Sequence, residues 1–191
     1  MTSTELFSSR YHDIHKRALP MLIDSLNEEQ LRERPADGLN PIAWMLWHIF
    51  RAEDVGVNRL ATDGVEMFVQ GKWAARLDVE TRYAGTGLTA DEVMELTAAL
   101  NLQALRAYGQ AVSDKTVDVV TSLQESDLKV VPANEHIKRV MCDEEVLPEC
   151  AWSYLPLYYG KSRGWFLIHL GLTHSYYHIG QISLAKKLLL G

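Results

Sequence analysis

The sequence predicts an all-α fold, a four-helix bundle with a long irregular segment before its last helix. Two observations carry this expectation. Four long stretches place apolar residues at helical spacing, and no stretch shows the strict alternation of a half-buried strand. Length and composition agree with it. The chain has 191 residues, 47% of them hydrophobic and 23% charged, which fits one globular domain over residues 1–191. A chain of this size buries roughly 70% of its unfolded surface, so it needs no disulfide or metal merely to fold. A bound metal would then serve chemistry.

The first helix is expected from about Thr4 to Leu26, with Leu6, Ile14, Leu22 and Leu26 on its periodic face and a kink at Pro20. A short helical turn follows around Glu28–Arg32, then a loop at Pro35-Ala36-Asp37-Gly38. Asn40-Pro41 reads as a cap followed by proline at the first helical position, opening a second helix that runs to about Thr62. Asp63-Gly64 ends it. Residues 65 to 87 lack sustained periodicity and form a connection with local structure around Met67–Trp73. Thr89-Ala90-Asp91-Glu92 is a capping box that opens a third helix reaching about Leu123, with a break expected near Ser113-Asp114. Residues 126 to 161 contain Pro132, Pro148 and Pro156 and read as irregular. The fourth helix starts near Ser162 and stops before Gly191, with Lys186 and Lys187 in its last turns, where the dipole favours cations.

The formal net charge is −6, and no block of five or six Lys or Arg occurs. Phosphate contacts need clustered positive charge, so nucleic acid and anionic membrane surfaces are not expected partners. No signal-peptide pattern opens the chain and no run of 18 apolar residues occurs, so the expected location is cytoplasmic. Cys142 and Cys150 read as two free thiols.

His174 and His178 are four residues apart, roughly 40° around a helix axis, so they share a face. Leu167, Leu170, Gly171, Ala185 and Leu188 lie within about 60° of His174, which puts the pair on the core-facing stripe. Gln181 shares that stripe one turn on. On the second helix, Trp44, Met45, Ala52 and Val55 flank His48, with Arg59 at the far end of the same stripe. Polar groups on such stripes need partners, because an unpaired buried one costs about 1–3 kcal/mol. One solution is a metal held by His48, His174 and His178, with Gln181 and Trp44 beside it; a hydrogen-bonded water network is the other. Three neutral imidazoles leave coordination positions open and suit zinc, nickel, iron or manganese, with zinc or nickel preferred. His169 falls roughly 140° from His174 and is expected to face elsewhere. His12 and His15 suit a solvated or helix-interface role.

The stretch Asn40-Pro41-Ile42-Ala43-Trp44-Met45-Leu46-Trp47-His48-Ile49-Phe50-Arg51-Ala52-Glu53-Asp54 resembles the second helix of the DinB-like superfamily. His174-Ser175-Tyr176-Tyr177-His178-Ile179-Gly180-Gln181-Ile182 resembles its last-helix motif, H-x-x-x-H-x-G-Q. The resemblance runs through nearly the whole chain in helix order. It implies an up-down-down-up bundle, frequently dimeric, with His48, His174 and His178 as the metal triad. Relatives include S-transferases using bacillithiol or mycothiol and a mycothiol-dependent maleylpyruvate isomerase. The long segment 126–161 departs from many members.

The resemblance therefore implies a metal-dependent transferase or isomerase acting on a small molecule with a low-molecular-weight thiol. The alternatives are a metal-dependent hydrolase and a non-catalytic, stress-related binding protein. The second has weight because no general base stands out: Glu53 and Asp54 lie roughly 120–140° from His48. Arg59 has two readings, contact with a carboxylate of the thiol and a surface salt bridge. Leu46, Phe50 and Val57 make the back of the second helix apolar too. That back requires cover, by segment 126–161 or by a second copy in a homodimer. Trp152, Tyr154, Tyr158 and Tyr159 line a pocket or pad the bundle.

Overall fold

Four long helices build the bundle in the computed structural model, which describes residues 2–191. Helix α1 covers residues 3–23, α3 residues 42–61, α7 Leu102–Ser122 and α9 residues 163–190. Between them lie α2 (Glu28–Arg32), α4 (Met67–Gln70), α5 (Trp73–Leu77), α6 (Ala90–Ala99) and α8 (residues 134–143). No strand occurs among the described residues, and no helix is long and apolar enough to cross a membrane.

Helix α3 is the centre of the fold. Every residue from Ile42 to Asp54 is buried, including Arg51, Glu53 and Asp54. It packs against α7, α9, α2 and α6. Leu46, Phe50 and Val57 are covered within one chain, Phe50 by Gly109 of α7. That cover comes neither from segment 126–161 at Phe50 nor from a second copy.

Several boundaries differ from the sequence expectation. Helix α1 ends at Ile23, and its residues Asp13–Ala18 widen into a π-helical turn just before Pro20. The proline thereby enters near the start of the resumed α segment, where a missing N–H is tolerated. Asn40 does not cap α3. Pro41 occupies the cap position and no side chain bonds the first turn. The expected long third helix is two helices, broken at Leu100 rather than at Ser113-Asp114. Asn101 accepts from Ala104 N to start α7, while Arg32 bonds the carbonyls of Thr97, Ala98 and Leu100 at the end of α6. Two side chains thus satisfy both new helix ends. The capping box at Thr89 and Glu92 is present. Segment 126–161 is irregular at 130–133, 144–148 and 158–161, but it also carries a short 3₁₀ turn, α8 and a 3₁₀ stretch at Glu149–Leu157.

Helices α3 and α9 each contain a π-helical stretch, Val55–Ala61 and Leu167–Thr173, and the two stretches contact each other. Gly56 makes this possible. A Cβ there would lie 2.5 Å from Leu170 Cβ, so any larger residue would push α9 outward. This close crossing brings the His48 turn of α3 against the His174 turn of α9.

Candidate metal centre

His48, His174 and His178 converge across the α3–α9 contact. One ring nitrogen from each lies within 4.8 Å of the others. His174 Nε2 is 3.1 Å from His48 Nε2 and 3.1 Å from His178 Nε2. The rings meet edge to face, with His48 4.7 Å from His174 and 4.9 Å from His178 between centroids. His48 and His178 are buried, each 7% exposed.

The outer nitrogens determine which way the lone pairs point. His48 Nδ1–H donates to the Ala84 carbonyl, and His178 Nδ1–H donates to Gln181 Oε1 at 2.7 Å. Both Nε2 atoms are then acceptors. His174 can place one proton, at most, between two acceptors on the same side. Its own Nδ1 is buried without a partner. Three converging lone pairs repel unless a cation lies among them, so the donor set fits a metal. One ion could be held by all three, since ligand atoms this close lie within reach of bonds of about 2.0–2.1 Å.

Burial makes these imidazoles poor proton carriers. Desolvation, helped by the His178 charge, lowers the His48 pKa to about 4. Desolvation, with the neighbouring histidines, lowers His174 to about 2. Burial also lowers His178, against its bond to Gln181. The three are neutral and ready to ligate at pH 7. The unfolded chain, with histidine near 6.5, takes up protons first as pH falls. Folding stability of the metal-free protein is therefore lost progressively below about pH 6.5, down to about pH 4 for His48 and about pH 2 for His174. At pH 5 the His48 contribution alone is about 2 kcal/mol, a drop of several degrees in Tm relative to pH 7.5. A metal-free Tm unchanged between these pH values would contradict the burial of neutral histidines.

Trp44 stacks on His48, with centroids 4.9 Å apart. Beyond the triad lies a small cavity of about 50 Å³ lined by His48, His174, His169, Tyr158, Met141 and Leu147, among others. His169 thus faces the same side as His174, contrary to the expectation from the helical wheel. The reason is the π turn at Leu167–Thr173: with i→i+5 hydrogen bonding, residues five apart return toward one face. His169 is held by stacking on Trp165 at 4.3 Å. Tyr158 therefore lines this cavity, whereas Trp152 and Tyr154 are exposed.

Other residues singled out by sequence lie away from the triad. Arg59 bonds Glu144, Asp63 and the Gly64 carbonyl, with Nε 2.9 Å from Glu144 Oε2. Its guanidinium is already committed to carboxylates. Glu53 accepts from Tyr11 and Thr116 and lies 3.1 Å from His15 Nε2. His15 is thus a helix-interface residue. Asp54 accepts from the Met67 and Phe68 amides and from Tyr108. Cys142 and Cys150 are free thiols. Sequence periodicity could not show Ala84, because a backbone carbonyl in a connection leaves no residue-type signature.

The DinB superfamily model matches residues 11–182. No curated protein matches. A conserved protein from Enterococcus faecalis, known from its crystal structure, is similar in fold: TM-score 0.71 and 18% identity, covering 100% of this chain and 99% of that one. With the family match spanning most of its length and the three histidines converging as described, the chain belongs to the DinB superfamily.

Proposed function

We propose that this protein is a metal-dependent transferase or isomerase that uses a low-molecular-weight thiol, with zinc or nickel held by His48, His174 and His178. The carrying observation is the all-histidine donor set, with open space beside it and no carboxylate among its donors. Neutral ligands leave the full positive charge on the ion, and such a cation lowers the pKa of a coordinated thiol, the nucleophilic form being the thiolate.

The chain's own residues do the positioning. Ala84 and Gln181 fix the ring orientation of His48 and His178. Trp44 covers one face of His48 and limits water there. Gln181 is itself held by Tyr177, whose hydroxyl lies 3.4 Å from its Nε2. Met141, Leu147 and Leu170 give the cavity its apolar wall.

The reading takes the working form as a cytoplasmic homodimer. Exposed Leu6 and Ile168, beside the apolar groove between α1 and α9, are the surface best suited to the contact. A monomer mass independent of concentration in sedimentation would remove the dimer.

The activity is tested by following consumption of a chromogenic electrophile by metal-loaded protein with and without added thiol. Turnover that requires both thiol and metal is expected. Product formation without thiol would favour hydrolysis, and no turnover with any thiol would favour a binding role.

A further inference from the structure

We infer that the open pocket on the Trp44 side of His48 binds the carboxylate of a small-molecule ligand, through the Arg34 guanidinium. The inference rests on the metal reading only for what lies at the other end of that ligand.

The pocket has a volume of about 410 Å³ and is lined by Arg34, Trp44, His48, Gly85, Thr86 and Gly87, among others. Its lining includes no Asp or Glu. Among the described residues Arg34 makes a single hydrogen bond, from Nη2 to the Ala90 carbonyl at 3.1 Å, and no ion pair. Its Nε is buried and without a partner. Arg51, Arg59, Arg82 and Arg139 meet carboxylates, Arg32 is held by three backbone carbonyls and Arg76 stacks on Trp73, whereas Arg34 lines an open pocket with one hydrogen bond.

Trp44 is the second, independent observation. It is 6% exposed, and its indole N–H has no acceptor among the described residues. A buried donor without an acceptor costs about 1–3 kcal/mol. A ligand oxygen in this pocket would relieve that cost. The backbone adds further donors. Gly85 and Gly87 adopt φ of +106° and +88°, and the amides of Gly85, Thr86 and Gly87 make no hydrogen bond among the described residues. The tight fit explains the glycine: a Cβ at Gly85 would sit 3.0 Å from the Trp44 ring and 3.2 Å from His48 Nδ1. The pocket thus offers donors without acceptors of negative charge, the chemistry that suits an anionic oxygen group. A planar guanidinium with free N–H groups favours a carboxylate.

The pocket and the small cavity at His174 share His48 and Thr86. A ligand anchored by its carboxylate at Arg34 therefore has its other end directed toward the triad. This assigns to Arg34 the role that the sequence alone suggested for Arg59, whose charge is already paired.

The experiment has two arms. In the first, cobalt(II)-loaded protein is titrated with mercaptopropionate and mercaptohexanoate and with the matching mercaptoalcohols, following the cobalt–thiolate charge-transfer band. The wild-type protein should bind an acid about tenfold to a hundredfold more tightly than its alcohol. Arg34→Gln should erase this preference while retaining its cobalt. In the second arm, metal-free protein is titrated with hexanoate and with hexanol, following the Trp44 indole N–H resonance, assigned with Trp44→Phe. Hexanoate should move that resonance and hexanol should not, and Arg34→Gln should abolish the shift. If cobalt does not bind but the indole shift appears, the metal reading fails and the carboxylate pocket stands. If acid and alcohol behave alike in both arms, or Arg34→Gln keeps the preference, the carboxylate pocket is overturned.

Discussion

Replacing His178 with Ala is expected to lower the affinity of the proposed centre for its metal by more than about a hundredfold and leave the helical content unchanged. Partners of ligating histidines alone are worth about 10–100-fold in affinity, so loss of a ligand must exceed that range. The bundle should survive, because the hydrogen bonds and ring contacts of His178 run to His174, His48, Gln181 and Tyr177 and it carries no helix cap. His48→Ala should do the same and should also free the Ala84 carbonyl. Gln181→Ala, which removes only the partner of His178 Nδ1, should cost about 10–100-fold. His169→Ala is the control: it faces the neighbouring cavity but is not one of the three converging donors. Its metal content should equal that of the wild type. Competition titration with a chromophoric chelator and elemental analysis measure each. Full metal content in both His48→Ala and His178→Ala would sink the site.

Arg51→Met should destabilise the fold by about 3–5 kcal/mol, the usual cost of removing one partner from a buried ion pair. Arg51 has no exposed surface. Its Nη1 is 2.6 Å from Glu66 Oε2 and 3.7 Å from Asp54 Oδ2, and its Nη2 donates to the Arg82 carbonyl at 2.7 Å. The guanidinium also lies 4.3 Å from the Phe68 ring centre. Methionine fills similar space but leaves Glu66 and Asp54 buried with less compensation. Arg82 retains one contact to Glu66, yet its side chain is 33% exposed and screened by water. Arg82→Gln should therefore cost much less than Arg51→Met. The loss should also reach the metal. Arg51 ties down the connection at Arg82, two residues before the Ala84 carbonyl that orients His48. Where Arg51→Met still folds, metal affinity should fall about 10–100-fold, as for a lost partner of a ligand. Urea unfolding measures the first effect, and a loss below about 1 kcal/mol would show that the ion pair is not holding the core.

The helices that place the ligands were legible because their signals are local. Capping at Thr89, the apolar stripes around His48 and His174, and the four-residue spacing of His174 and His178 all depend on residues near in sequence. The family likeness joined the two stripes into one site. Other features depend on partners far along the chain. The break at Leu100 needs Arg32 at the helix end, and no periodicity within α6 and α7 reports that. Asn40 looked like a cap, but the chain enters α3 at Pro41 and the side chain makes no bond to the first turn. Arg51, Glu53 and Asp54 are buried in α3, and besides Asn58 of the same helix their partners come from α1, α4, α7 and the connections.

The sequence by itself carried the long apolar helix faces and put the three histidines on them. Tertiary structure alone decided three other matters. The π turn in α9 turned His169 toward the site, because a wheel drawn at 3.6 residues per turn assigns the wrong phase where the hydrogen bonds run i→i+5. Folding of the connections supplied Ala84 as the partner of His48 and put an unpaired Arg34 beside it. Pairing of Arg59 with Glu144 and Asp63 withdrew it from the site. The common reason is that side-chain type and spacing set what a helix face can bury, whereas the partner of a charge or a lone pair depends on which distant segment packs there.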